Sequence, residues 1–166
     1  KTCTATVYNA QGKPIKTYEV GVGKEKGDNF NDGFGNLGKV HKRTTAGEFT
    51  VNPLVKKPSH DYGYNLLTLQ PTERLADTKS VMGLHQIPNS LIKERLSKFN
   101  NGTIKDNRMS YGCVNFQLKD IENLKTIVKP GSKVYILPEE SDNSLKLKKA
   151  AGDKYIFVQS KYTKTA

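Results

Sequence analysis

Residues Thr2-Cys3-Thr4-Ala5-Thr6-Val7-Tyr8 alternate strictly between two kinds of side chain. A period of two sends Cys3, Ala5 and Val7 to one face of an extended strand, and a strand holds only when it is paired. Lys133-Val134-Tyr135-Ile136-Leu137 alternates in the same way far along the chain. A sheet that recruits both regions is therefore the main constraint on the fold. Asn9-Ala10-Gln11-Gly12-Lys13-Pro14 reads as the turn of an opening hairpin whose second leg runs from Ile15 to Val22. Further strands are expected at 47–55, 62–70, 80–85 and 132–138. Apolar residues make up only 35% of the chain and Trp is absent, which suits a lean, β-rich core.

Two helical patterns interrupt the strands, both late. One spans Asn89–Phe99, begins after Pro88, and would turn Leu91, Ile92, Leu96 and Phe99 inward. The other spans Gln117–Val128, with Leu118, Ile121, Leu124 and Ile127 recurring every three residues and Lys129-Pro130-Gly131 as its stop. The expected class is thus α+β and β-dominated, a curved sheet or sandwich with two late helices near a groove. At 166 residues the chain suits one domain. Residues 1–140 are expected to form its body. Residues 141–166 are expected to extend it as a C-terminal hairpin, with legs at 145–149 and 154–159 around Gly152-Asp153. The glycine-rich stretch 23–43 reads as a long loop. Its Asp28-Asn29-Phe30-Asn31-Asp32-Gly33 loosely resembles a calcium loop, but Phe30 stands at the third ligand position, so no metal is expected. Asn101-Gly102-Thr103 fits a glycosylation sequon and is set aside.

Twenty-seven Lys and Arg against sixteen Asp and Glu give a formal net charge of +11. Such a chain attracts polyanions, whether nucleic acid, anionic membrane or an acidic wall polymer, and charge alone does not choose among them. No apolar run approaches the roughly 18 residues of a membrane span, and no basic-then-apolar leader opens the sequence. That opening suits a mature or trimmed domain. Of the two cysteines, Cys3 lies in the alternating strand and reads as a small buried hydrophobe.

Cys113 has a different setting, Ser110-Tyr111-Gly112-Cys113-Val114-Asn115, just before a helix. Glycine allows a tight path on which amide N–H groups can converge on an oxyanion. A thiol needs a base to act as a nucleophile near neutrality. His85, ending the strand-like Ser80–Leu84, has the firmest platform of the three histidines; His41 and His60 sit in polar loops. Taken alone, a pair this distant in sequence proves little, and a lone buried Cys with a satisfied structural His is the favoured reading.

The stretch Ser110–Asn115 resembles the [Ser/Thr]-His-Gly-Cys-hydrophobic-[Asn/Arg] signature of the L,D-transpeptidase (YkuD-type) catalytic domains. Leu84-His85-Gln86 is similar to their upstream Ile-His-Gly. Thr44-Thr45-Ala46-Gly47-Glu48-Phe49 resembles their Thr-Pro-x-Gly-x-Phe. Thr2–Gly23 is similar to their opening hairpin and Gly131–Pro138 to the strand after the site, so the resemblance covers roughly 1–138 in order.

The resemblance implies that Cys113 attacks the carbonyl of the third residue of a peptidoglycan stem tetrapeptide and expels the terminal D-alanine. His85 would be general base and acid, oriented by the backbone carbonyl of Gln86. The N–H groups of Tyr111, Gly112 and Cys113 would hold the oxyanion. Ser110, Asn115, Gly83 and Arg108 would shape the substrate's surroundings, with Arg108 placed to meet a carboxylate. Two departures stand out. Tyr111 replaces the family's second His, which leaves the Cys-His pair intact and bears on rate or acceptor. The 27 residues between His85 and Cys113 exceed the family's usual spacing and hold the 89–99 helix.

Transfer to an amine would cross-link stems, transfer to water would trim them, and transfer to a D-amino acid would exchange the terminal residue. The latter two also suit an antibacterial effector. A non-catalytic wall-binding domain is the reading from another class, and a nucleic-acid module ranks lowest, since no basic-aromatic recognition motif is present. No cofactor, nucleic acid or integral membrane segment is expected. The partner would be the stem peptide, the protein a monomer, and the location exported, either periplasmic or facing the wall, by a removed signal or a secretion system.

Overall fold

The alternating opening forms β1 (Thr4–Tyr8) and pairs antiparallel with β2 (Pro14–Gly23), from Thr4 opposite Glu19 to Tyr8 opposite Pro14. The computed structural model of the chain describes residues 3–25, 44, 47–71, 82–101, 106–136 and 155–159. The 28–33 segment, His41 and the 145–149 leg lie outside the described residues.

Seven further strands complete one sheet: β3 (Gly47–Val51), β4 (Leu66–Pro71), β5 (Met82–Gln86), β6 (Arg108–Ser110), β7 (Val114–Phe116), β8 (Lys133–Ile136) and β9 (Tyr155–Gln159). Their order is β1-β9-β8-β3-β4-β5-β7-β2-β6, and β2 also pairs with β1. The sheet therefore curls until β1 meets β2 and closes on itself, with the short β6 left as an edge strand on β2. β2 is long enough to serve three partners. Val20 N–H donates to Cys3 O and Val22 N–H to Asn107 O, so β1 and then β6 follow one edge. Val20 and Gly21 pair with Phe116 and Asn115 of β7 on the other. Inside the closure sit Cys3, Ala5, Val7, Phe49, Leu67, Leu84, Phe116 and Val134, joined by Ile121 and Leu124 of the second helix.

The β-dominated α+β reading holds, and local chemistry explains where elements differ. β3 stops at Val51 because Asn52-Pro53 follows and Pro lacks the ladder N–H. β4 starts only at Leu66, since Ser59 and Gly63 exchange backbone hydrogen bonds in a tight turn with Gly63 at φ 53°. β6 and β7, three residues each, were not expected. Among the described residues β9 pairs antiparallel with β1 on one edge and parallel with β8 on the other. It is a strand of the main sheet.

The second helix, α2 (Leu118–Ile127), buries Ile121 and Leu124 as expected but leaves Leu118 exposed. The larger correction concerns 89–99. This stretch is a 3-10 turn (Asn89–Leu91), one α-turn, α1 (Ile92–Arg95), and another 3-10 turn (Leu96–Lys98). Ile92 and Leu96, expected inside, are 42% and 46% exposed, whereas Arg95 is 3% exposed. Alternating 3.0 and 3.6 residues per turn rotates the faces away from a uniform helical projection. Phe99 does go in, against Ile87 and Met109 in a small satellite core.

Candidate active site

β5 and β7 run parallel, with Leu84 beside Val114, His85 beside Asn115 and Gln86 beside Phe116. One step back along this ladder sets Cys113 beside Gly83. His85 and Cys113 thereby occupy neighbouring positions on one face of two adjacent strands, because residues two apart share a face. Cys113 is a free thiol, partly exposed, at the entry to β7. Burial pushes its pKa up, against a hydrogen bond from the Gly83 backbone and the Arg95 charge, which favour the thiolate. Gly83 is packed tightly: a Cβ there would stand 3.0 Å from Leu66 Cδ1 and 3.2 Å from Leu67 O. A side chain at 83 would thus disturb the strand that presents its backbone to the sulfur.

His85 is buried, and its Nδ1 lies 2.6 Å from Gln86 O. A carbonyl only accepts, so Nδ1 carries the hydrogen and Nε2 keeps a lone pair. Burial, opposed by the Gln86 hydrogen bond and assisted by the Arg95 charge, lowers the His85 pKa to about 4. Near neutrality the pair is therefore an uncharged thiol and an uncharged imidazole. The Tyr62 ring packs on His85 with centroids 4.2 Å apart.

Gln86 is fixed by its side chain as well. Its Nε2 donates to Asn89 Oδ1 at 2.9 Å and to Asp61 O at 3.2 Å, and its Oε1 accepts from Asn65 Nδ2 at 2.9 Å. The 59–65 turn that carries Tyr62 is thus tied to the base's own strand. Ser90 N–H donates to Asp61 Oδ1, holding the same turn to the start of the 89–98 helical stretch.

The loop before Cys113 is shaped by Ser110. Its Oγ donates to Cys113 O at 2.5 Å and accepts from Gly112 N–H at 3.1 Å. Gly112 has φ 135°, a conformation that favours glycine. Thr44 Oγ1 accepts from Gly23 N–H and donates to Gly112 O, both at 2.8 Å, so the end of β2 braces the loop. Asn115 Nδ2 lies 3.5 Å from Cys113 O, and its Oδ1 accepts from Arg95 Nη1 at 2.7 Å.

The residues expected at a site separate into two groups. Cys113, His85, Gln86, Gly83, Gly112, Ser110 and Asn115 come together. Tyr111 stands at the rim, 57% exposed, with Lys24 Nζ 5.2 Å from its ring centre. Gly112 N–H, expected among the oxyanion donors, is engaged by Ser110 Oγ. Arg108 turns elsewhere, its Nη1 near Gly23 O and Glu25 O at 3.4 and 3.3 Å and its charge felt by Cys3. The arginine whose charge reaches Cys113 is Arg95, hydrogen-bonded to Asn115; neither it nor Tyr62 stands out in the sequence. His60 is exposed beside Asp61. Among the described residues no His, Cys, Asp and Glu side chains group to hold a metal, and no helix is long and apolar enough to cross a membrane.

A family profile for the L,D-transpeptidase catalytic domain matches residues 1–136. The chain belongs to that family. No match is found among curated proteins or solved structures. L,D-transpeptidases are cysteine-dependent enzymes that act on cell-wall peptidoglycan peptides and are typically exported. The profile stops at β8, so β9 joins the sheet from beyond the matched residues.

The buried, neutral His85 of this L,D-transpeptidase domain makes stability depend on pH. In the unfolded chain a histidine takes its proton near its reference value of about 6.5, whereas in the fold it resists until about 4. Between these values the unfolded chain holds the extra proton, so stability falls as pH falls. The loss should reach roughly 3 kcal/mol by the lower end. Urea unfolding from pH 7 to 4 should show this slope, and His85→Gln should flatten it. A parent slope unchanged by His85→Gln would place the acid sensitivity elsewhere.

Proposed function

We propose that the protein is a peptidoglycan cysteine acyl-transferase that works on tetrapeptide stems through a Cys113 thioester and passes the acyl group to an amine. The observation that carries this reading is the position of Cys113 two residues along the β5–β7 ladder from His85, on the same face, with His85 Nδ1 committed to Gln86 O and Nε2 left to take a proton.

In the first half, the Cys113 thiol gives its proton to His85 Nε2 as the sulfur attacks the carbonyl carbon of the third stem residue. The carbonyl electron pair moves to oxygen, toward the amide N–H groups of this turn other than that of Gly112, which Ser110 Oγ already engages. As the oxyanion collapses, the C–N bond to D-alanine breaks and His85 returns the proton to the leaving amine. In the second half an acceptor amine attacks the thioester, yields a proton to His85, and the sulfur leaves as a thiol. Because both groups start uncharged, proton transfer accompanies attack rather than preceding it. Ser110, Asn115 and Thr44 keep the turn in shape and Gly83 presents its backbone to the sulfur. The basic surface raises the local concentration of carboxylate-bearing stems.

Purified tetrapeptide muropeptides, alone and with a D-amino acid, test this by product mass. Release of D-alanine with formation of a linked dimer is the expected result. A tripeptide product would mean that water is the acceptor, and incorporation of the added amino acid would mean exchange. No product from folded protein that still binds the muropeptide would leave a wall-binding domain.

A further inference from the structure

Arg95 breaks two rules of local structure at once. The helical stretch 89–98 leaves Ile92 and Leu96 in solvent and buries a guanidinium instead. A buried charge is costly unless paired. Yet among the described residues Arg95 forms no ion pair, and the neighbouring Glu94 lies toward Lys98 at 3.8 Å. Its hydrogen bond is to a neutral partner, Nη1 to Asn115 Oδ1 at 2.7 Å, while its Nε is buried without any partner. A helix held against its own amphipathic preference to keep a cation without a counter-ion points to a functional anion.

We propose that Arg95 is a positioning residue whose fixed positive charge, held by Asn115 behind the nucleophile loop, stabilises the negative charge that forms at Cys113. Three lines support the sulfur and its oxyanion over a carboxylate from solvent. Arg95 is only 3% exposed, too little for a bidentate grip on an incoming carboxylate. Its tether, Asn115, is beside His85 in the ladder and reaches toward Cys113 O. Its charge is felt at Cys113 and His85, and it in turn feels first the neighbouring Glu94, which is turned toward Lys98, and then Tyr62, Tyr111 and Cys113. Among the described residues the Gly83 backbone and Tyr62 also act on the thiol; the other titratable groups of the neighbourhood are His85 on β5, Asp61 beside Tyr62, Glu94 beside Arg95, and Tyr111 with Lys24 at the rim. None of these is a standing buried cation.

The proposal rests on Cys113 being the reactive thiol, but its test needs no muropeptide. Iodoacetamide alkylation of Cys113, located by peptide mass, is followed against pH. Removing a nearby positive charge raises the proton affinity of both partners. Arg95→Gln should therefore move the alkylation midpoint upward by on the order of one pH unit and slow labelling at neutral pH about tenfold. The His85 ring titration, read by NMR, should move up too. Arg95→Lys should restore both. Asn115→Asp, which sets a carboxylate on Nη1 without removing the arginine, should reproduce the upward shift and keeps the test alive if Arg95→Gln does not fold. Unchanged profiles in Arg95→Gln or Asn115→Asp, or a Lys variant as slow as Gln, would overturn the proposal. Failure to turn over muropeptides with these shifts present would instead count against the transpeptidase reading.

Discussion

Cys113→Ala is expected to abolish turnover of tetrapeptide stems, by on the order of 10^4-fold or more, while the protein stays folded. The effect is large because no other described group can form the thioester. Cys3 is the other thiol, but it is wholly buried in the core, and burial raises its pKa to about 12. It has neither access nor thiolate character. The fold survives because Cys113 lies at the entry to β7 with part of its surface in solvent, and the turn is held through backbone atoms by Ser110 and Thr44. Cys113→Ser should be nearly as inactive, since a hydroxyl is a far weaker nucleophile with a neutral imidazole as base. Cys3→Ser should do the reverse, keeping turnover and costing about 1–3 kcal/mol for a hydroxyl placed in the core. Product mass spectrometry and urea unfolding, run on all three variants, separate the two sulfurs. Turnover that survives in Cys113→Ala would remove Cys113 as nucleophile.

How much of this was legible beforehand depended on the range of the physics involved. Period-two alternation is local, so β1, its hairpin with β2, and β8 could be read directly. The three-residue periodicity and the Pro130-Gly131 stop likewise marked α2. Cys113, His85 and the Gln86 carbonyl were singled out by motif, and the fold brings them together along the β5–β7 ladder. Arg95 was hidden because the 89–98 stretch mixes 3-10 and α turns, so a uniform helical projection put Ile92 and Leu96 in its place. β6 and β7 are too short for alternation to register, and β7's partners lie at His85 and Val20, far away in sequence. Tyr62 sits in a turn whose position depends on Gln86, Asn89 and Ser90, contacts that no spacing rule encodes. β9 owes its place to long-range pairing with β1 and β8. Arg108 and Arg95 differ in the same way: both are arginines near motifs, and only the fold decides whose charge the thiol feels.

His85→Gln is expected to lower turnover by roughly a thousandfold, within the range typical of a general acid–base group, without a matching loss of thiol reactivity toward a small alkylating agent. The two readouts part because of how the pair rests. In a thiolate–imidazolium pair the histidine would sustain the thiolate, and its loss would silence alkylation as well. Here His85 holds a proton only below about 4, and the Cys113 thiol is pushed up by burial, so the imidazole does not carry the charge that would maintain a thiolate. Alkylation should then follow ordinary titration of the thiol, with Gly83 and Arg95 as its supports. Amide cleavage in the proposed reaction differs because its leaving D-alanine nitrogen would have to receive a proton, which Nε2 of His85 would carry. The acid limb of kcat/KM in the parent protein should accordingly fall near 4 and not near the usual histidine value of about 6.5. His85→Gln preserves size and a polar end that can reach Gln86 O, so the ladder between β5 and β7 should persist. Pre-steady-state release of D-alanine, compared with iodoacetamide labelling at matched pH, measures both arms. If His85→Gln abolishes alkylation as thoroughly as turnover, the resting site is an ion pair, and proton transfer precedes attack.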